Sequence, residues 1–170
     1  MENLELRMYG LVPYNISPIQ QSIQFGHAVV EYGQEFKNTE IYNVWADKWK
    51  TFIILNGGTT NIRLGEDGLP LGTLNHHLLE LENNGMEFAV FHEPDLGDQL
   101  TAIVFIVDER VFNKEKYPDF DFIGTSFENS PNSREYIYDK DIKEYNEWVE
   151  SIGGNKNLFL REFLKRFRLA

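Results

Sequence analysis

Met8–Tyr32, MYGLVPYNISPIQQSIQFGHAVVEY, is the stretch whose reading decides the fold. Its opening continues an apolar, aromatic run that starts at Leu6, and Pro13 and Asn15 close it, so a first strand is expected over Leu6–Tyr14. Ser17-Pro18 follows. A hydroxyl side chain able to cap a helix precedes a proline placed where its missing N–H costs nothing, and a helical pattern then runs to about Phe36. On that helix Ile19, Ile23, Gly26 and Val30 recur at helical spacing and read as the buried face, with Gly26 allowing a neighbouring backbone to come close. Gln20, Gln24, His27 and Glu31 form a polar stripe at i, i+4, i+7 and i+11, either solvated or bordering a site.

Working outward, a second helix is expected over Ile41–Trp49, where Trp45 and Trp49, one turn apart, would cover the core. Lys50–Gly58, KTFIILNGG, reads as a buried strand ending in a turn, because Gly57-Gly58 lacks the spacing with which glycine-rich loops wrap phosphate. Residues 59–72 carry many turn formers and suggest a hairpin or a loose excursion. Thr73 is placed to cap a helix whose Leu74, Leu78 and Leu81 share one face and which Gly85 ends. MEFAVFHEPDLG and QLTAIVFIVDE, from Met86 onward, then read as two strands joined by an acidic turn. The order β-α-α-β-α-β-β over Leu6–Asp108 places the chain in the α/β class, a mixed sheet with helices against its faces. Residues 109–135 read as a connector, and 136–170 as a helical extension with helices at Tyr138–Ser151 and Asn155–Arg168.

The 170 residues suit a single domain with a real core, and the absence of cysteine removes disulfides, thiolate metal sites and a cysteine nucleophile together. Neither a leader-like N-terminus nor a membrane span is recognisable, so a cytoplasmic protein is expected. The net charge is -11, and residues 1–154 hold 11 basic against 26 acidic groups. Such a surface repels nucleic acid at long range. The last sixteen residues differ, with five basic groups and one Glu: Arg161, Lys165 and Arg168 recur at i, i+4 and i+7 beside Phe159, Phe163, Leu164 and Phe167. This basic, aromatic helix permits docking on RNA, a membrane surface or an acidic partner, or burial of its phenylalanines against its own acidic domain.

Chemistry concentrates in His92–Thr101, where polar side chains gather at a strand end, the usual place for ligand sites in α/β sheets. A carboxylate here would orient or deprotonate a water, and Thr101 would hold a substrate oxygen. Ordinary turn chemistry of Asp, Gly and Pro is the alternative. His76-His77 point about 100° apart on a helix and do not jointly grip an ion. Metal ions and cofactors are not expected, and no serine stands in a nucleophile context.

Taken in order, MYGLVPYNISPIQQSIQFGHAVVEY and EPDLGDQLTAIVFIVDE resemble the opening strand and helix, and the acidic-glycine-threonine turn with last strand, of the type II peptidyl-tRNA hydrolases. The resemblance covers about residues 6–108. It implies a compact four-stranded mixed sheet with helices on both sides, and a site where the N-terminal end of the first helix meets the loop between the last two strands. Carried over, the acidic catalytic position falls on Glu93 or Asp95, the threonine on Thr101, the helix-marking histidine on His27 and the glutamine before it on Gln20 or Gln24. Gln99 adds a further donor near that place. Two departures stand out. The family's activity is associated with a lysine near the start of the first helix, whereas no Lys or Arg occurs between Arg7 and Lys37, and the turn here is shorter and more acidic.

Three readings follow. The first is cleavage of peptidyl-tRNA at its ester; the second is a catalytically degenerate relative that binds or sequesters a small ligand such as a nucleotide; the third is an acidic interaction module, for instance a viral accessory protein. The third calls for an exposed apolar patch at Trp45, Trp49 or the C-terminal phenylalanines, and self-association into a homodimer is compatible with all of them.

Overall fold

The computed structural model describes residues 4–66, 68, 70–120 and 133–170, with 133–141 described as backbone. Four strands form one sheet: β1 (Leu6–Val12), β2 (Thr51–Asn56), β3 (Ala89–Glu93) and β4 (Gln99–Asp108), in the order β2-β1-β4-β3. β1 runs parallel to β2 and antiparallel to β4, and β3 is antiparallel to β4. The parallel pair needs a crossover, supplied by α1 (Pro18–Phe36) and α2 (Glu40–Val44). The mixed α/β sheet, the order of elements and helices on both faces are as expected from the sequence.

β1 stops two residues early, at Val12, because Pro13 has no N–H to continue the ladder. α1 begins as its capping residues dictate: Ser17 Oγ accepts from the Gln20 N–H at 3.3 Å, and Gln20 Oε1 accepts from the Ser17 N–H at 3.1 Å. The buried face of α1 is not the one its aliphatic spacing indicates. Ile19, Ile23 and Val30 are exposed, Gly26 has no neighbour over it, and Gln24, Phe25, Ala28 and Tyr32 are buried. Phe25 decides this, because the edge of its ring occupies the space over Gly10 of β1, where any Cβ would collide with it. The helix expected over Ile41–Trp49 divides into α2 and one π-helical turn, Trp45–Trp49, which ends at Lys50 in the left-handed region. Trp45 is buried and Trp49 half-buried, so neither forms an exposed patch.

β2 leads into a loose excursion before residue 73, in which, among the described residues, Leu64 bridges Pro70. Thr73 does not cap the next helix, α3 (Thr73–Asn83); Gly72 is its N-cap, and Thr73 Oγ1 instead accepts from the Thr59 N–H at 2.7 Å. α3 buries Leu74 and Leu81 and half-buries Leu78 against the opposite sheet face, alongside Tyr9, Leu11, Ile103, Phe105 and Val107. The α1 face holds Leu6, Met8, Val12, Ala102, Val104 and Ile106. Side chains thus alternate along β1 and most of β4, as a two-residue period requires.

After α4 (Glu109–Phe112), α5 (Ser133–Ser151) starts earlier than expected and α6 (Asn155–Leu164) ends four residues sooner than expected. The connector expected over 109–135 lies partly outside the described residues. α6 belongs to the core, since Leu160 and Phe163 join the α3-face cluster with Phe159 and Phe167 packed on it. Arg161 also turns inward: its fully buried guanidinium donates to the carbonyls of Arg110 and Tyr117 and to Asp119 Oδ1 at 2.8 Å. Arg166 grips Glu80 of α3 with two bonds, at 3.2 and 2.6 Å, and holds that carboxyl below its ordinary range. Beyond α6 the chain reaches the open edge of β2, where Leu169 bridges Leu55, the Asn56 N–H donates to the Arg168 carbonyl and the Ala170 N–H to the Ile54 carbonyl.

Candidate functional site

At the ends of β1 and β2 where the chain leaves the sheet, and where β3 stops and β4 starts, three side chains from three elements interlock. Glu93 is the last residue of β3 and faces α1, in phase with Ala89 and Phe91. Gln24 is the one polar side chain on the buried face of α1. Thr101 reaches the same place through a β-bulge: Phe91 pairs with Ala102 but His92 with Leu100, leaving Thr101 unmatched. Strict alternation from Ile103 and Phe105 would turn Thr101 toward α3. The extra residue inverts the phase, so that Leu100 packs on the α3 side and Thr101 meets α1.

The resulting hydrogen bonds run in one direction. Thr101 Oγ1 donates to Gln24 Oε1 at 3.0 Å, with the Phe91 carbonyl at 3.2 Å, and Gln24 Nε2 donates to Glu93 Oε2. The other Glu93 oxygen accepts from the Asp95 N–H at 3.2 Å. Reversing the Gln24 amide would set its oxygen against the carboxylate, so Glu93 fixes the amide and the amide fixes the hydroxyl. Thr101 is fully buried and its single proton is committed to Gln24 and the Phe91 carbonyl, so it supports Gln24 and has no proton left for the substrate oxygen expected there. Glu93 is half-buried and keeps lone pairs for a further donor, which makes it the group able to take a proton from a water or to bind a ligand N–H or O–H.

No protein-family model and no curated protein matches this chain.

The remaining expected site residues divide. His27 is exposed on α1 and its ring lies over Phe91, centroids 4.4 Å apart, so it borders the Glu93 carboxylate's strand. Asp95 is exposed and contributes its backbone N–H, within the 3-10 turn Pro94–Leu96 that ends at left-handed Gly97 and Asp98. Gln20 is spent in the cap of α1 and makes no hydrogen bond to the relay. Gln99 braces the turn, donating to the Leu96 carbonyl at 2.7 Å and accepting from Thr60, and does not join the site. Sequence reasoning missed Phe91, the platform under His27, and the pair Asn15 and Thr60, whose two reciprocal bonds at 3.1 and 3.0 Å tie the 57–72 excursion to the start of α1. An Asn after Pro-Tyr signals a turn but not its distant partner. Among the described residues, no three His, Asp or Glu side chains stand close enough to hold a metal ion, and no helix is long and apolar enough to cross a membrane.

Proposed function

We propose that this protein hydrolyses the ester linking an acyl or peptidyl group to tRNA, with Glu93 as the general base. In this reaction a water adds to the ester carbonyl as its proton passes to Glu93, and the tetrahedral adduct collapses as the ribose oxygen departs with that proton, returned by Glu93. His27, exposed on α1 with its ring against Phe91 two residues before Glu93, is assigned to the developing oxyanion. Thr101 and Gln24 are positioning residues that hold Glu93 for this step. The observation that carries the reading is the Thr101–Gln24–Glu93 chain, buried at Thr101 and Gln24, at the strand ends where α1 begins, together with the resemblance that put the glutamine, acid and threonine of a peptidyl-tRNA hydrolase at these positions.

A second reading rests on a different observation. α1 carries no Lys or Arg, and the net charge is -11, which disfavours a polyanion, while the neutral donors that remain suit a small polar ligand such as a nucleotide held without turnover. One assay separates the two. Purified protein is given peptidyl-tRNA at low and moderate salt beside Glu93→Gln and Asp95→Asn. Turnover that falls at least about 100-fold in Glu93→Gln and survives in Asp95→Asn supports hydrolysis with Glu93 as base. No turnover in the intact protein overturns hydrolysis, and a thermal shift with a nucleotide then supports the binding reading.

A further inference from the structure

The stripe Ile19, Ile23, Gly26 and Val30 on α1, expected inside, faces solvent: the three aliphatic side chains are 75%, 48% and 58% exposed, and nothing lies within 4 Å of where a Cβ on Gly26 would stand. Their spacing makes one straight apolar row along a helix. No Asp, Glu, Lys or Arg occurs between Arg7 and Glu31, so the row is an uncharged strip on a molecule of net charge -11. On an acidic protein, that is where two copies repel each other least.

We propose that this strip is the contact face of a homodimer in which two copies of α1 pack antiparallel about a twofold axis. An isologous contact requires that residue i meet j while j meets i. With the axis between Gln24 and Phe25, Ile23 falls on the partner's Gly26 and Ile19 on the partner's Val30, a bulky side chain opposite an empty position at the centre. The same register sets Glu31 beside the partner's Pro18, in the first turn of its α1. That turn contains no acidic residue of its own, and the partner's carboxylate meets the positive end of the helix. A parallel pairing would instead put Glu31 against Glu31. The strip measures roughly 17 Å by 10 Å, about 170 Å² per copy, well under the ~800 Å² per partner of a standard interface. Association is therefore reversible and concentration-dependent.

Sedimentation velocity on the full chain tests this. The weight-average mass is expected to rise with concentration in the wild type and to stay at the monomer value in Ile23→Glu, whose exposed position leaves the circular dichroism spectrum and melting temperature unchanged. The chain has no cysteine, so orientation is read by cross-linking. A mixture of Ile19→Cys and Val30→Cys chains is expected to form a disulfide-linked dimer, and each variant alone is not, because its own thiols lie about 16 Å apart along the antiparallel pair. A wild type that stays monomeric at every concentration, an Ile23→Glu variant that associates like the wild type, or Ile19→Cys chains that cross-link with themselves as readily as with Val30→Cys would each overturn the proposal.

Discussion

Thr101 and valine have nearly the same shape, which lets the buried relay be cut without opening a cavity. In Thr101→Val the Gln24 carbonyl oxygen loses its donor inside the protein, and a loss of about 1–3 kcal/mol is expected, read as a lower midpoint of urea unfolding with an unchanged slope. Glu93→Gln removes the charge and keeps the size, so its unfolding midpoint should move far less than its activity. A positioning role for Thr101 also requires that turnover in Thr101→Val fall through kcat with KM unchanged. Gln24, Glu93 and Thr101 were all legible as candidates in the sequence, since each is polar in a chain region otherwise apolar or turn-forming. Their meeting was not. In QLTAIVFIVD a two-residue period assigns Thr101 to the α3 face, and no residue in it announces the bulge that inverts the period.

At the scale of elements, α1 shows how a helix with two apolar rows is ambiguous when read alone. Ile19, Ile23 and Val30 make one row, and Phe25, Ala28 and Tyr32 make another at i, i+3 and i+7. Aliphatic content favours the first; the sheet selects the second, because Gly10 leaves the space that the Phe25 ring occupies. Gly10→Ala tests that selection. Its methyl would meet the Phe25 ring and lift α1 from the sheet, with an expected loss of about 1–3 kcal/mol, and activity should fall with it, since the helix carries Gln24 away from Glu93. The start of α1, by contrast, was fully legible, because a capping box is a local matter between Ser17 and Gln20. α6 was legible as a helix but not in its orientation: Arg161 lies on the row that reads as a basic outer face, yet its guanidinium is fully buried and satisfied by two carbonyls and Asp119. Arg161→Met leaves those carbonyls without donors, and a loss of roughly 3–5 kcal/mol is expected in chemical denaturation.

For the whole molecule, the bonds that hold the connector and α6 to the domain set its behaviour in acid. Lys114 first, and then Arg161, hold the Asp119 carboxyl down from 3.8 to about 2. A carboxyl depressed on folding contributes stability that is fully present above its unfolded value and is lost as pH falls through its folded value. The window therefore runs from 3.8 down to about 2. Acid unfolding followed by circular dichroism should lose stability across that interval, and Asp119→Asn should flatten it; because Asp119 is half exposed, solvent screens the effect and the difference will be modest. The residues after α6 close the sheet by covering the outer edge of β2, and this closure has a consequence in time. Thr51–Asn56 is made more than a hundred residues before Arg168–Ala170. At roughly 5–20 residues per second, that edge stays open on the translating ribosome for on the order of ten seconds. During synthesis, then, only factors acting from outside the chain can shield it, and slowing translation between these two segments should lower the yield of soluble protein.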